Sequence, residues 1–175
     1  MKNYYELVDA NKAKSNLVII LFVTFISTSA YFIARGFGYG LDFVGMALII
    51  SGITSLGSYY YSDKIVLSLS NARPVTKKEY FNFYTVTENL CSVARITVPK
   101  LYVIEDTAMN AFATGRDPQH AALVATTGIL AKLTRTELEG VIGHELSHIQ
   151  NYDIRLMSLV TILVGVLTLM ADWLL

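Results

Sequence analysis

The chain has 175 residues, 53% of them hydrophobic and only 16% charged, with zero net charge and a mean hydropathy of +0.45. Soluble domains carry about 25% charged residues, so this composition points to a membrane and away from a fully soluble protein. The balanced charge offers no basic surface for nucleic acid, and the single cysteine, Cys91, rules out an intrachain disulfide framework.

In chain order, residues 1–16 form a polar N-terminal segment, followed by an uncharged apolar run over 17–34. A second uncharged run covers 43–62, and a third begins at Leu156 and reaches the last residues, 156–175, interrupted only by Asp172 beside Trp173. A bilayer core takes about twenty helical residues, so all three are expected to be transmembrane helices, with Trp173 suited to a membrane interface. The first run is longer than the apolar part of a secretory signal, and no clear small-residue cleavage site follows it before Arg35, so it reads as a span. Gly45, Ser51, Gly52 and Gly57 in the second run are small residues of the kind that let membrane helices pack closely. Lys2, Lys12 and Lys14 precede the first span, Lys64, Arg73, Lys77 and Lys78 follow the second, and the connection 35–42 holds one Arg. Basic flanks favour the cytoplasmic side. This predicts a cytoplasmic N-terminus, an external loop over 35–42, and a cytoplasmic polar segment over 63–155.

That segment is the one stretch long enough for a soluble core. Residues 65–70 extend either as helix or as strand, and Asn71–Pro74 is a break. Thr76-Lys77-Lys78-Glu79 has the spacing of a capping box. Behind it Tyr80, Phe83, Tyr84, Thr87, Leu90, Cys91 and Ala94 form the three-and-four stripe of a helix packed on a core. Leu101–Ile104, Asn110–Thr114 and Ala121–Thr127 read as strands of a small antiparallel or mixed sheet, with a turn at Gly115–Pro118 and a helical turn over 128–133. Thr134-Arg135-Thr136-Glu137 is a second capping box, with Leu133 and Leu138 set to staple the helix start. The fold class is therefore α+β: transmembrane helices plus a small catalytic unit with a short β-sheet.

The helix opened by Thr134 carries His144-Glu145-Leu146-Ser147-His148. Residues four apart share a helix face. Two imidazoles at that spacing, His144 and His148, can grip one metal ion, one Zn2+ per chain, with Glu145 beside the water the metal activates. Two of the chain's three His fall in this pentapeptide. Zinc activates a water for attack on a carbonyl, and a carboxylate off the metal, Glu145, takes its proton and returns it to the leaving amine. A third ligand is required. On a continuous helix Asp153 turns well off the metal-facing side, which favours an outer role over direct ligation; His120 is a further candidate, set against its reading as an ordinary loop residue.

The motifs together resemble the HtpX-type membrane zinc proteases, relatives of the CAAX prenyl proteases. Asn110-Ala111-Phe112-Ala113-Thr114-Gly115 is similar to that family's run before the active helix, as is Val124-Ala125-Thr126-Thr127-Gly128-Ile129-Leu130, and His144-Glu145-x-x-His148 followed by Asn151 and Asp153 completes the pattern. The resemblance implies a zincin-like fold, His144 and His148 as zinc ligands and Glu145 as catalytic base. It implies endopeptidase action on misfolded or damaged membrane proteins from the cytosolic face of the plasma (inner) membrane. It also implies a third ligand, a Glu on a helix beyond the next membrane segment. The chain is expected to stop short of it, so that 63–155 is a partial zinc-protease domain. Two readings compete: a selective processing protease of the prenyl-protein type, and a catalytically incomplete membrane scaffold.

Two geometric expectations follow. If the helix continues past His148, Leu156 lies about 12 Å along its axis, which sets the metal against the membrane surface and membrane proteins within reach as substrates. If the strand over 121–127 is an edge strand, an extended substrate can add to it, with Asn110, Ala111, Val124, Ala125 and Thr126 as binding residues and Asn151 and Asp153 in supporting positions behind the metal ligands. Oligomeric state has no signature in the sequence.

Overall fold

The structure is a computed structural model and describes residues 4–38 and 40–174, with side chains described from Glu6 to Thr168 apart from Tyr39 and Leu41. Asp172 and Trp173, the expected interfacial end of the third span, have side chains outside the described residues.

Helix α1 runs from Tyr4 to Phe37 and α2 from Leu41 to Tyr60. The first helix is far longer than the apolar run 17–34, because nothing in residues 4–16 breaks helix geometry: no Gly or Pro interrupts the stretch. Both helices are long and apolar enough to cross a membrane. Their large side chains face outward: Phe25, Phe32, Ile49 and Ile53 are exposed, while Ser51, Ser55 and Ser58 are buried. Small polar residues inside and apolar residues outside is the arrangement of helices solvated by lipid.

The second apolar run ends as helix at Tyr60, and after a one-residue break α3 covers Ser62–Leu69. Residues 65–70 are thus helical up to Leu69. Asn71, at φ 51, turns the chain into β1, Arg73–Pro74. The capping box expected at Thr76–Glu79 does not form. Residues 76–80 make a turn in which Glu79 and Tyr80 donate their N–H groups to the Thr76 carbonyl, and α4 begins only at Phe81. The Glu79 carboxylate goes instead to the Arg73 guanidinium at 2.6 Å. Helix α4, Phe81–Ala94, buries Phe83, Val86, Thr87 and Cys91.

Strands β2 (Lys100–Ile104), β3 (Ala111–Gly115) and β4 (Ala121–Thr126) join β1 in a mixed sheet of order β1-β2-β4-β3. The β2–β4 pair is parallel; β1–β2 and β3–β4 are antiparallel. This corrects one expectation: the strand at 121–126 is interior, hydrogen-bonded on both sides, and the edge beside the H-E-x-x-H helix is β3. Every residue of β4 is buried, because its alternate side chains enter two cores. Ala121, Leu123 and Ala125 pack with Phe83, Val86, Ile142, Leu146 and Ile149. Ala122 and Val124 pack with Leu67 of α3. Gly115, at φ +137, ends β3 where a Cβ would lie 2.3 Å from the His120 carbonyl oxygen, so both its conformation and its space require glycine.

Helix α5, Thr127–Lys132, is capped by the Thr126 hydroxyl accepting from the Ile129 N–H. Helix α6, Arg135–Gln150, carries the predicted capping box complete: the Thr134 side chain accepts from Glu137 N–H, and the Glu137 carboxylate accepts from Thr134 N–H at 2.8 Å. Helix α7, Asp153–Leu174, leaves α6 at an angle of 83°. The continuous helix expected through 156 is therefore absent: Asn151 ends α6, and Tyr152, at φ 61, redirects the chain. If α6 and α7 count together as one bent span, the candidate membrane spans among the described residues rise from two to three.

Candidate functional site

Helix α6 is held over one face of the sheet by Leu138, Ile142, Leu146 and Ile149, all buried. That three-and-four spacing leaves the next positions around the helix, 144, 145 and 148, on the side facing away from the core. His144 is exposed, and Glu145 and His148 are half-buried. The two rings meet edge to face, with centroids 4.6 Å apart and an interplanar angle of 86°. Their Nε2 atoms approach to 3.1 Å.

The far side of His148 is fixed as well. Its Nδ1 lies 2.9 Å from Asp153 Oδ2. An ionised carboxylate only accepts, so Nδ1 is the donor to Asp153, and in the neutral ring Nε2 is then the nitrogen with its lone pair toward His144. Two nitrogens bound tetrahedrally to one zinc at 2.0–2.1 Å stand about 3.3 Å apart. The His144–His148 pair is within a few tenths of an ångström of that separation, with one ring already in the ligating tautomer. These residues fit a zinc ion as two of its ligands. Among the described residues, no group of three or more His, Cys, Asp or Glu side chains is gathered to hold a metal.

Asp153 reaches His148 because the backbone breaks between them. On an uninterrupted helix a residue five positions on is rotated by about 140°; the left-handed Tyr152 returns it to the ligand side. Asn151 sits at the C-terminal cap of α6. His120 takes no part: it is exposed at the end of a short 3-10 turn, with Nδ1 2.8 Å from Asp117 Oδ1. Burial opposes ionisation of Asp117, but hydrogen bonds and charge from His120 outweigh it and lower its pKa.

A cavity of about 340 Å³ opens beside this pair, lined by Ala111, Phe112 and Ala113 of β3, Glu145 and His148 of α6, and Asp153, Ile154, Leu156 and Met157 of α7. It is a trough with the edge strand β3 on one wall and the Glu145 carboxylate on another. The expected binding residues separate here. Ala111 lines the trough, and Asn110 is exposed just before β3. Val124 and Ala125 are fully buried and Thr126 nearly so, on a strand with no free edge. The Thr126 hydroxyl lies 2.6 Å from the Ala108 carbonyl and accepts from the Asn110 N–H at 3.1 Å, tying the approach to β3 in place. Phe112, Ala113, Leu156 and Met157 were missed by sequence reasoning. The alternation of 110–114 was the signal for the first two; nothing local signalled the last two, because only the 83° bend brings α7 to the trough.

The N-terminal part of α1 also reaches the site. Asn11, buried, donates from Nδ2 to the Asn151 carbonyl at 3.1 Å and to Asp153 Oδ1. The Lys12 ammonium lies 4.5 Å from the centre of the Tyr152 ring, and Arg155 donates to Asn16 Oδ1 at 2.8 Å.

Residues 82–173 match the profile of peptidase family M48. Over 172 residues, 96% of this chain, it is 39% identical to a protein named Protease HtpX homolog from Streptococcus agalactiae and 38% identical to one of the same name from Streptococcus pyogenes. The chain spans 57% of the length of each of these relatives. With the profile covering more than half of its residues, the chain belongs to peptidase family M48, as an HtpX-type member.

Proposed function

We propose that this chain carries the zinc-binding and proton-transfer half of a membrane-bound endopeptidase site. The observation that carries the reading is the convergence of His144 and His148 through their Nε2 atoms, with Glu145 on the wall of the same trough. His144 and His148 would hold the zinc, which when bound supplies Lewis acidity for the scissile carbonyl and a lowered water pKa. The chain's own groups do the rest. Glu145 takes a proton from the attacking water and passes it to the departing amine nitrogen. Asp153 keeps the His148 ring oriented with its proton on Nδ1. The edge of β3 at Ala111–Ala113 accepts an extended peptide as an added strand.

Substrates are membrane proteins, misfolded or damaged ones in a quality-control role. Leu156 and Met157 of the apolar helix α7 line the same trough as Glu145, which supports a cleavage site close to lipid. The catalytic unit lies in the cytoplasm at the plasma membrane; the basic flanks of the first two spans support this side. So does the docking of residues 11–16 on the α6–α7 turn, which puts the start of α1 and the site at one end of the spans.

The test is metal content of the detergent-solubilised chain together with chelator-sensitive cleavage of an unfolded membrane protein. One Zn2+ per chain is expected, lost in His144→Ala and His148→Ala. Glu145→Gln should retain the metal and lose cleavage. Zinc that stays bound in the double His variant would overturn the reading.

A further inference from the structure

Asp153 does not hold His148 unaided. Its Oδ2 meets His148 Nδ1 at 2.9 Å, and its Oδ1 accepts from Asn11 Nδ2, 142 residues earlier in the chain. The same amide nitrogen donates at 3.1 Å to the carbonyl of Asn151, the residue that ends α6. Both partners are acceptors without a proton, so the orientation of the Asn11 amide is forced: only its NH2 group can face them. Asn11 is 8% exposed, and its main-chain carbonyl accepts from the fully buried Ser15 hydroxyl at 2.8 Å, as Ser15 lies one helical turn on. Both bonds of the amide nitrogen go to the turn that carries the carboxylate.

We infer that Asn11 of the N-terminal helix is a positioning residue for the metal site, acting through Asp153 to lock the His148 ring in the Nδ1–H tautomer. The inference rests on the zinc reading for its consequence and on the hydrogen bonds alone for its geometry. A carboxylate with one oxygen unheld rotates about its terminal bond, and His148 then samples the tautomer whose Nε2 carries a proton and cannot ligate. Partners behind metal-binding histidines typically carry ten- to hundredfold in metal affinity. Asn11 stands one bond further out, so about tenfold is expected. The first helix of the chain is then part of the site as well as a membrane anchor.

The experiment uses the full chain in detergent micelles, with Zn2+ as the probe and 15N-labelled histidine. Three His in the chain leave three imidazoles to assign. Asn11→Ala should lower Zn2+ affinity about tenfold and reduce the Nδ1–H fraction of His148 in the metal-free protein. Asn11→Asp, which keeps the shape but sets a carboxylate against Asp153, should do worse than Ala. In an Asp153→Ala background, Asn11→Ala should change affinity no further, since coupled residues are non-additive. Lys12→Ala and Asn16→Ala loosen the same docking without removing a hydrogen bond to Asp153, and should lower Zn2+ affinity by less than Asn11→Ala does; a loss as large as that of Asn11→Ala would overturn the inference. An Asn11 effect equal in size with and without Asp153, or an unchanged His148 tautomer, would overturn the inference. If the parent chain binds no Zn2+, the zinc reading falls, and the tautomer measurement on the metal-free protein still decides the role of Asn11.

Discussion

Thr126 separates a substrate contact from a structural knot. Its hydroxyl donates to the Ala108 carbonyl at 2.6 Å, accepts from the Asn110 N–H at 3.1 Å, and accepts from the Ile129 N–H at 3.3 Å as the cap of α5. Thr126→Val keeps the shape and removes all three. Loss of a helix cap costs about 1 kcal/mol. A neutral donor–acceptor bond contributes about 1 kcal/mol net, more where the abandoned group stays buried. With one cap and two further bonds lost, the sum is roughly 3 kcal/mol at a site 4% exposed. The chain supplies its own reporter, because its one cysteine, Cys91, is buried in the core that β4 and α4 share. Where reclosing outpaces labelling, the rate of maleimide attachment follows the open population, and roughly 3 kcal/mol corresponds to about 150-fold faster labelling. Zn2+ affinity should move little, since His144 and His148 sit on α6 behind its own cap. Unchanged Cys91 labelling combined with weaker peptide binding would refute this reasoning and return Thr126 to the substrate-binding role its sequence context suggests.

Burial pushes the Cys91 thiol up to about 11 from 9.0. At pH 8 the thiolate fraction is then about 100-fold below that of a free thiol, so iodoacetamide should leave the folded chain unmodified for far longer than the unfolded one. With the folded pKa above the unfolded value, the associated stability is fully present below pH 9 and is lost as pH rises toward 11; Cys91→Ala should remove that component of alkaline destabilisation. Glu137 shifts the other way: hydrogen bonds from Thr134 hold its carboxyl below the usual value, so the capping box stabilises α6 above pH 4.5 and loses its effect as pH falls further. Helicity of the Glu137→Gln variant, followed by circular dichroism, should depend less on acid than that of the parent. Gly128→Ala places a Cβ 2.3 Å from the Thr107 carbonyl oxygen, an overpacking that costs about 1–3 kcal/mol and should speed Cys91 labelling at least fivefold.

The placement of His144 and His148 on one helix face was legible because its determinants are local. The capping box at Thr134 and Glu137 fixes where α6 starts, and helix periodicity then sets His144 and His148 on one side. Strands β2, β3 and β4 were legible from alternation and turn residues to within one residue. Strand order was not, because Ala121–Thr126 is apolar on both faces whether it lies inside a sheet or at a covered edge; its pairing with both β2 and β3 is a property of distant residues. The box at Thr76 failed for a related reason. Its spacing is right, but Glu79 pairs with Arg73 at 2.6 Å, and α4 opens only at Phe81, with no side-chain cap from Tyr80.

The bend at Asn151–Tyr152 explains why the site stands where it does. A straight helix through this region would carry the Asp153 carboxylate about 140° away from His148, and α7 would run on from the metal site as an extension of α6. The left-handed residue Tyr152 (φ 61) does two things at once. It swings Asp153 back to His148, and it turns α7 through 83° so that Leu156 and Met157 wall the trough opposite β3. A non-glycine residue in that conformation costs on the order of 1 kcal/mol or more and persists only when its neighbours fix it. Those neighbours belong to α1: Lys12 over the Tyr152 ring, Asn11 on the Asn151 carbonyl and on Asp153, and Asn16 on Arg155. The segment that reads in sequence as a polar leader to a membrane span is therefore the clamp on the turn, and the orientation of a metal-type histidine depends on residues at the opposite end of the chain.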